Sequence, residues 1–512
     1  MPDVFAHPRQ GLVSNCVRST PVDARGHLGT LCGLAYPYQR GYPQGSANTL
    51  SPPAGQVFDE IYFATDAHID LLGLEHPGGH YAYFDPEPPL AKLMIAGGEW
   101  GWGWFRATFQ GARGDIANLG FNPFGWRIMA CLVGTLCVPL MYLLAHRLWR
   151  NRVFAVAAAL MTCLDGLFFV QSRIGMIDIF PIFLILLAYW LFTIHLQSRT
   201  ARASLITLLL TGTVVGLGIA AKWIVLAVWA TIVFLLVLRV LWHRIDAGLG
   251  GEAGTGSRRA EAARGPAIPG GARWGPYLIV AAVALVLVPA VIYVASWTPF
   301  FVRGQFHTLA DLWHYNVQAY IYHATLKATH PYGSKWYTWP FLIRPVAYYF
   351  QGSGLGIDQW TGRPLVAGIV DLGNPWIWWT SLPCLVAMPY FAIRHRSYPA
   401  AFICVAFVTS YLPWTRVSRV LFLYHMFGSL PFMILALAFV LARVHASSWH
   451  GWEVGFTRLR LLVTGRRLVY AHLLLVVAFF VFLYPIWTGL PIGDLSYLSG
   501  FPHGKMWLRS WI

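Results

Sequence analysis

The sequence predicts an all-α polytopic membrane protein that crosses the bilayer about ten times. Hydrophobic residues make up 57% of its 512 residues and charged residues only 11%, whereas a soluble domain usually carries about 25% charged residues. The mean hydropathy is +0.53, and apolar runs of about 18 residues recur along most of the chain. These observations exclude a soluble protein, and no long stretch has the composition of a soluble domain.

The predicted spans follow from the apolar runs in the sequence. Several runs are shorter than the roughly 20 residues of a straight crossing, which predicts tilted or partial spans. The predicted bounds are Ile128–Ala145, Phe154–Val170, Ile177–Ile194, Leu205–Ala220, Trp223–Leu241, Tyr277–Ser296, Trp376–Ile393, Ala400–Tyr411, Leu421–Leu441 and Leu468–Tyr484.

Arginine-rich loops give the predicted orientation, because Lys and Arg accumulate in cytoplasmic loops. These arginines lie within residues 147–152, 199–202, 239–273, 394–396 and 443–467. The alternate segments are predicted to be extracytoplasmic: Asp59–Trp126, the turns around Arg173 and Lys222, Trp297–Pro375, the turn Trp414–Arg419, and the C-terminus. The same rule accounts for most of the net charge of +16. That charge is spread over many loops, which argues against a nucleic-acid-binding face.

Composition divides the chain into four predicted parts. Residues 1–57 form an irregular segment rich in Pro, Gly and Arg, with no apolar run long enough for a signal or a span. Residues 58–296 form an N-terminal transmembrane module that begins with the first outer loop. Residues 297–375 form an extracytoplasmic segment, and residues 376–512 form a C-terminal module of four helices. The cytoplasmic stretch Gly248–Gly275 is predicted to be a flexible linker.

An even number of spans with an external C-terminus places the N-terminus outside as well. We therefore expect either that a first span is missing from this sequence or that translocation is exceptional, and we favour the former.

Ionisable residues in the outer loops are the candidate functional residues, because charge beside a membrane is costly unless it has a role. Asp59 and Glu60 form a carboxylate pair that can act as a general base, hold a metal or cap a helix. Further along, Asp85, Glu87 and Lys92 flank a Pro-Pro pair. This pair predicts an extended segment that holds the charged residues in fixed places before a helix begins.

Arginines form the second candidate group. Arg127 opens a predicted span and Arg173 lies in an outer turn. A single arginine at a helix end can snorkel to the interface, but two beside carboxylates are better explained by a phosphate, which guanidinium groups match bidentately. Asp178 is predicted to orient Arg173, with a structural Arg–Asp pair as the alternative. Arg419 shares an outer turn with Arg416, against the positive-inside trend, which suggests a lipid phosphate or a substrate.

Two aromatic segments complete the candidates. The first runs His330-Pro-Tyr-Gly-Ser334-Lys-Trp336-Tyr-Thr-Trp-Pro, and the second is Phe422-Leu-Tyr-His425. Aromatic side chains stack on sugar faces and also anchor proteins at membrane interfaces. Composition leaves both interpretations open.

These segments, taken together and in this order, resemble one family. Phe58-Asp59-Glu60, the Asp-x-x-Pro-Pro-Leu-x-Lys stretch from residue 85, Arg173 with Asp178, and the two aromatic segments are similar to those of bacterial protein O-mannosyltransferases, the dolichyl-phosphate-mannose–protein mannosyltransferase family. Leu372-Gly-Asn-Pro375 and Thr488-Gly-Leu-Pro491 add to the likeness. The resemblance extends from about Val57 to Ile512.

The resemblance implies a GT-C fold with eleven spans in the bacterial plasma (inner) membrane and an active site on its extracytoplasmic face. It implies transfer of mannose, with inversion, from polyprenyl-phosphate-mannose to Ser or Thr hydroxyls of exported proteins. By the same resemblance Asp59 is the general base with Glu60 beside it, and Arg127 contacts the donor phosphate. The family usually has His where this chain has Glu87, which leaves the acceptor or sugar preference open.

The predicted site follows from the resemblance and the charge pattern together. Arg127, Arg173, Lys92 and Arg419 are predicted to bind the donor phosphate. The predicted substrate-binding residues are Asp85, Glu87, Asp178, His330, Ser334, Trp336 and His425. The lipid-linked donor is already activated and no Asp-x-Asp pair of the nucleotide-sugar type is present, so neither a cofactor nor a metal is predicted. The predicted partners are the lipid-linked mannose, an extracytoplasmic acceptor protein and membrane lipids.

Two other functions remain open at this stage. One is a lipid-directed GT-C transferase that resembles the aminoarabinose transferases. The other is a transporter without catalysis, although no internal repeat of the transporter kind is evident. Five of the seven cysteines lie inside apolar runs and no Cys-x-x-Cys occurs, which is typical of small core residues.

Overall fold

Long apolar helices and a small antiparallel sheet make up the structure, a computed structural model. It describes residues 53–73, 85–248, 274–447, 452–456, 459–500 and 502–512. Nearly all of the irregular segment predicted for residues 1–57, and most of the linker Gly248–Gly275, lies outside these ranges.

The α-helices, numbered in chain order, are α1 (Glu60–Leu72), α2 (Leu90–Phe109), α3 (Ile116–Gly120), α4 (Pro123–Leu148), α5 (Arg152–Cys163), α6 (Gly166–Gln171), α7 (Ile179–Leu196), α8 (Ala201–Ala221), α9 (Val225–Gly248), α10 (Trp274–Ala282), α11 (Val288–Ser296), α12 (Thr298–Val302), α13 (Leu309–Thr325), α14 (Pro375–Arg394), α15 (Tyr398–Tyr411), α16 (Leu430–His445), α17 (Gly465–Thr488) and α18 (Asp494–Leu498). A π-helical turn, Val283–Leu287, joins α10 to α11. Short 3₁₀ helices cover Trp336–Phe341, Leu412–Arg416, Leu423–Gly428 and Arg509–Trp511.

Within the described residues, six helical segments are long and apolar enough to cross a membrane. They are Pro123–Leu148, Ile179–Leu196, Ala201–Ala221, Gly275–Ser296, Pro375–Arg394 and Gly465–Thr488. Three shorter apolar helices cover Arg152–Cys163, Val225–Leu238 and Leu430–His445. Together with α15, these segments account for all ten predicted spans, although the number of bilayer crossings stays a prediction.

One predicted span, Phe154–Val170, is interrupted in the structure. Helix α5 ends at Cys163, and Asp165 caps the next helix by accepting hydrogen bonds from the amides of Leu167 and Phe168 at 3.0 and 3.2 Å. The other carboxylate oxygen of Asp165 accepts from the Trp378 indole at 2.8 Å and from the Asn374 amide at 3.1 Å. The helix is interrupted here because the buried carboxylate of Asp165 caps α6 and also accepts hydrogen bonds from residues at the start of α14.

A second difference concerns the predicted span Leu421–Leu441. Its first part forms the 3₁₀ helix Leu423–Gly428, and α16 begins only at Leu430. Pro431 occupies the first turn of α16, where the missing amide of proline costs no hydrogen bond. This irregular stretch brings Tyr424 and His425 into the site described below.

The sheet was not predicted. Strands β1 (Val346–Gln351), β2 (Leu365–Asp371) and β5 (Ile492–Gly493) pair antiparallel in the order β1-β2-β5. The pairing of β1 with β2 is irregular between Ala347 and Tyr349, so Tyr348 lies in a β-bulge. A separate hairpin joins β3 (Trp452–Phe456) to β4 (Leu459–Val463).

Most helices pack into one large apolar core, and Trp297, Phe300, Phe306 and Leu312 form a second, smaller cluster. Helix α7 contacts α4 and α8, and α16 contacts α5, α14 and α17. Asn374 links the sheet to this core, because its side-chain amide donates to the carbonyls of Leu164 and Val476 at 3.1 Å each. The loops between the helices are thereby held at one end of the bundle, where the candidate residues gather.

Candidate active site

Glu60 and Arg127 form a buried ion pair at the start of the first outer loop. The Arg127 Nε donates to Glu60 Oε1 at 2.7 Å and Nη2 donates to Oε2 at 2.7 Å. Both side chains are almost fully excluded from solvent, at 0% and 1% exposure. The paired oxygens and the parallel fork are the geometry in which such an ion pair is strongest.

Other groups complete the bonding of this pair. Arg127 also donates to the carbonyls of Pro53 and Gly55 at 3.1 and 3.0 Å. Glu60 accepts from the amides of Gly175 at 2.6 Å and Val57 at 2.9 Å. The donors of Arg127 therefore face protein acceptors, and the structure does not bring this guanidinium to an open surface where a lipid phosphate would bind.

Asp59 directly precedes α1 but does not cap it. Its side chain makes no capping hydrogen bond with α1, which excludes the helix-cap alternative. Asp59 is partly exposed, unlike its neighbour Glu60. Its carboxylate interacts electrostatically with the phenol of Tyr424. The backbone before it is unusual, since Phe58 has φ +46°, in the left-handed region that residues with side chains rarely occupy.

Lys92 lies in a second buried charged group. Its Nζ donates to Asp85 and lies 3.5 Å from Asp66, and its side chain is only 3% exposed. The Tyr315 hydroxyl fixes the same loop by donating to the Asp85 carbonyl and accepting from the Asp85 amide, each at 2.8 Å. Lys92 and Asp85, predicted as phosphate and substrate ligands, are thus bonded to each other.

Asp178 was predicted to orient Arg173, and that pairing is wrong. The Asp178 carboxylate accepts a hydrogen bond from Lys222 Nζ at 2.7 Å. Arg173 instead donates to the Trp487 carbonyl at 3.2 Å. Burial, and then the nearby charge of Arg127, lower the pKa of Arg173 to about 10. The spacing in the sequence placed Asp178 about one helical turn from Arg173, but residues 172–178 are not helical and α7 begins only at Ile179, so that spacing does not bring the two side chains together.

A small charged cleft of about 10 Å³, room for about one water, lies beside Lys222, and we call it the cation cleft. Its walls include Asp178, Lys222, Trp414, Tyr424 and His425. Burial alone would lower the pKa of Lys222, but Asp178 and Glu87 raise it above its ordinary value.

Arg419 lies near the same cleft. It is partly exposed and acts electrostatically on Lys222, His323, Tyr424 and His425. In the part of the chain that the structure describes, no hydrogen bond or ion pair to Arg419 is found. Glu87 is partly exposed and acts on Lys222 and His323 as well, so it borders the cleft. Burial lowers the pKa of His323, which favours its neutral form.

The predicted aromatic ligands lie beside the cleft and Asp59. The His330 ring meets the Phe58 ring edge-on at 6.3 Å and is exposed. His425 is buried, 4.6 Å from Trp414 between ring centroids. Ser334 and Trp336 hold the segment in place, since the Ser334 hydroxyl accepts from Trp339 at 2.9 Å and the Trp336 carbonyl accepts from Tyr411 at 2.6 Å.

Sequence reasoning missed three residues behind Asp59. The Tyr348 hydroxyl donates to the Asp371 carboxyl at 2.9 Å and accepts from the Gln171 amide at 2.8 Å. Asp371 immediately precedes the Leu372–Pro375 motif, so an acidic residue at that boundary was the available signal. Lys222 was noted only as marking a turn. No group of three His, Cys, Asp or Glu among the described residues is arranged to hold a metal ion, and the absence of a metal requirement stays a prediction.

The chain matches two family models that together extend over most of its length. Residues 78–303 match the model described as dolichyl-phosphate-mannose-protein mannosyltransferase. Residues 308–511 match the model described as the C-terminal four TMM region of protein-O-mannosyltransferase. The boundary between the two matches falls just before α13.

Individual proteins give a consistent picture. The chain is 26% identical to the polyprenol-phosphate-mannose–protein mannosyltransferase of Mycobacterium tuberculosis over 90% of this chain and 88% of that protein. It is 33% identical to an undecaprenyl phosphate-α-4-amino-4-deoxy-L-arabinose arabinosyl transferase of Pseudomonas aeruginosa, but over only 36% of this chain and 31% of that protein. The solved structure of the Saccharomyces cerevisiae protein O-mannosyltransferase Pmt1-Pmt2 complex bound to the sugar donor has a TM-score of 0.65. It shares 15% identity and covers 91% of this chain and 90% of that one.

Proposed function

The chain belongs to the dolichyl-phosphate-mannose–protein mannosyltransferase family, and on that premise we propose how its residues transfer mannose from a polyprenyl phosphate to the hydroxyl of a Ser or Thr in a protein. The membership confirms the resemblance and the GT-C fold that the sequence predicted. It also favours a protein acceptor over the lipid-directed alternative, since the arabinosyl transferase match extends over only 36% of this chain.

Asp59 is the proposed general base. In the reaction, the acceptor hydroxyl oxygen forms a bond to the anomeric carbon as the bond from that carbon to the phosphate oxygen breaks. The carboxylate of Asp59 takes the hydroxyl proton, and the configuration at the anomeric carbon inverts. A positioned base contributes typically about 10²–10⁴-fold to the rate.

The observation that carries this assignment is the contrast between two adjacent carboxylates. Glu60 accepts four hydrogen bonds and is fully buried, so it is not available to receive a proton from a substrate. Asp59 is partly exposed, leaves the end of α1 uncapped and lies close to Tyr424, a wall of the cation cleft. Glu60 therefore has a structural role in the proposal, as the group that fixes the loop next to the base.

Arg419 and Lys222 are the proposed ligands of the donor phosphate. Lys222 lines the cation cleft and Arg419 acts on it electrostatically, so a phosphate there would meet the Arg419 guanidinium and a lysine that already pairs with Asp178. Charge that develops on the leaving phosphate is stabilised by donors already fixed near it. Arg127 and Lys92 have a different proposed role: each neutralises a buried carboxylate of the first outer loop.

Glu87, Asp178 and His425 border the place where the phosphate-linked sugar would lie, so we propose them as sugar contacts. Tyr424 lines the cleft and also interacts electrostatically with Asp59. His330 is exposed and contacts the ring of Phe58, so we propose it as a contact for the acceptor polypeptide, and Ser334 and Trp336 support that segment.

The proposed location is the bacterial plasma membrane, with the active site on its extracytoplasmic face. The supporting argument is the arginine content of the opposite loops, which indicates the cytoplasmic side. The acceptor is accordingly an exported protein, and the donor headgroup lies in the outer leaflet.

The test is the substitution Asp59→Asn in the full chain, assayed in membranes with labelled polyprenyl-phosphate-mannose and a synthetic Ser/Thr peptide. Asparagine keeps the shape but cannot accept the proton, so we expect turnover to fall at least about 10²-fold while donor binding is retained. Asp358→Asn is the matched control, because Asp358 lies in an outer hairpin turn that asparagine also favours. Turnover by Asp59→Asn equal to that of the control would remove Asp59 as the base.

A further inference from the structure

Phe58 connects Asp59 to a buried polar network in a different part of the chain. Its ring centroid lies 4.7 Å from that of Tyr348 on strand β1. Tyr424 contacts the same ring edge-on at 6.4 Å, and His330 does so at 6.3 Å. The left-handed backbone of Phe58 is unfavourable for a residue with a side chain and persists only where the surroundings enforce it. These rings are the surroundings that do so.

Hydrogen bonds fix the hydroxyl group of Tyr348. Its hydroxyl donates to Asp371 Oδ2 at 2.9 Å and accepts from Gln171 Nε2 at 2.8 Å. Asp371 and Gln171 have no solvent exposure, and Tyr348 is 4% exposed. The β-bulge at Tyr348 explains how its side chain reaches Asp371 on the neighbouring strand as well as Phe58. Three separate elements, α6, β1 and β2, therefore meet at one phenol.

The carboxyl of Asp371 has no cation partner in the described residues. Burial is the main reason that its pKa lies well above the usual range, and the negative charge of Asp178 adds to the effect. The neutral form is therefore favoured, and the group acts by hydrogen bonding and shape. A neutral network beside Asp59 holds the loop without adding a competing ion to the site.

We propose that Tyr348, held by Asp371 and Gln171, is the positioning residue that aims the general base: by fixing Phe58 it sets the direction of the Asp59 carboxylate. The inference rests on the proposed function of Asp59. Orientation of this kind matters because a displacement of about 1 Å at a reacting group costs about 10²-fold in rate. The network makes no hydrogen bond to Lys222 or Arg419 among the described residues, and its contact with the cleft is the packing of Tyr348 against Tyr424 at 6.4 Å. We therefore expect it to act mainly on the chemical step.

Four variants of the full chain test the inference, each reconstituted in lipid nanodiscs and assayed with polyprenyl-phosphate-mannose and a synthetic Ser/Thr peptide. Tyr348→Phe keeps the ring and loses the hydroxyl, and Tyr348→Ala loses both. We expect kcat to fall about 10-fold for Tyr348→Phe and about 10²-fold for Tyr348→Ala, with KM for the donor within about twofold of wild type. Tyr349→Phe is the control on the same strand, since its hydroxyl bonds only Gln351.

The remaining pair separates positioning from simple loss of structure. Asp371→Asn keeps a neutral acceptor for the Tyr348 hydroxyl, and its amide can donate to Gln171 Oε1, which is buried and accepts no hydrogen bond from the described residues. Asp371→Ala removes the group. We expect the asparagine variant to retain at least about tenfold more kcat than the alanine variant, at equal donor KM.

Three outcomes of these experiments can be told apart. Wild-type kcat for Tyr348→Phe and Asp371→Ala, with Asp59→Asn inactive, would overturn this inference and leave the proposed base intact. Parallel changes in donor KM, kcat and thermal stability would also overturn it, because they would show general damage. Full activity of Asp59→Asn would instead remove the proposed base itself.

Discussion

The buried Glu60–Arg127 pair and the cation cleft both carry the charges that a lipid-phosphate site needs, yet they differ in what those charges already bind. Arg127 is 1% exposed and donates to Glu60 and to two backbone carbonyls. Arg419 is partly exposed and has no hydrogen bond or ion pair within the residues described. The donors of Arg127 are matched by protein oxygens, whereas Arg419 has no such match among the described residues.

The difference shows that the charge of a side chain does not by itself identify a binding residue. A guanidinium whose donors are all matched by protein oxygens contributes to folding, because its removal would leave a buried carboxylate without its cation. A partly exposed guanidinium beside a charged cleft can donate hydrogen bonds to phosphate oxygens in place of water. The two regions are also connected, since Asp59 directly precedes Glu60 of the first and interacts electrostatically with Tyr424 of the second.

The largest expected effect comes from breaking the buried pair. Arg127→Met leaves Glu60 unpaired in the core, and such a loss typically costs about 3–5 kcal/mol of stability. We expect low yield and a lowered Tm in detergent. The double variant Arg127→Met with Glu60→Gln should recover a large part of the stability, since the amide oxygen can still accept from Gly175. An Arg127→Met protein of normal Tm with only a raised donor KM would reassign Arg127 to the phosphate.

A smaller effect is expected at the cation cleft. Arg419→Ala should weaken donor binding by about 10–100-fold, because a charged hydrogen bond contributes about 1.5–3 kcal/mol. Tm should stay near that of wild type, since no described residue depends on Arg419 for a hydrogen bond.

Two further variants sharpen that test. Arg419→Lys should fall between wild type and alanine, because lysine offers a point charge without the guanidinium fork. Arg416→Ala, an exposed arginine on the same turn, is the matched control. Equal loss of donor binding at both positions would reduce the cleft to a general electrostatic attraction.

The helical architecture was accessible from the sequence because membrane spans require long apolar runs, and these are visible without any tertiary information. The break at Asp165 was not accessible. An acidic residue within an apolar run does not reveal that Trp378 and Asn374, more than 200 residues later, will supply its donors. The sheet was missed for a related reason, since β2 pairs with a two-residue strand from the far end of the chain.

The candidate site divides in the same way. The motifs named Asp59, Glu60, Asp178, Arg419 and His425 as candidates, and their role in a site stays a prediction. They did not reveal which charges neutralise each other, as the Lys222–Asp178 pair shows. Lys222 belongs to none of the sequence motifs, and only its short distance to Asp178 in the structure makes it a candidate. Partner choice depends on side-chain directions at helix ends, which periodicity does not fix.

The most direct measurement is a structure of the Asp59→Asn variant with polyprenyl-phosphate-mannose bound. The account predicts the donor phosphate within about 3 Å of the Arg419 and Lys222 nitrogens, the anomeric carbon facing residue 59, and Arg127 still paired with Glu60. A phosphate bound to Arg127, with the cation cleft empty of donor, would contradict it.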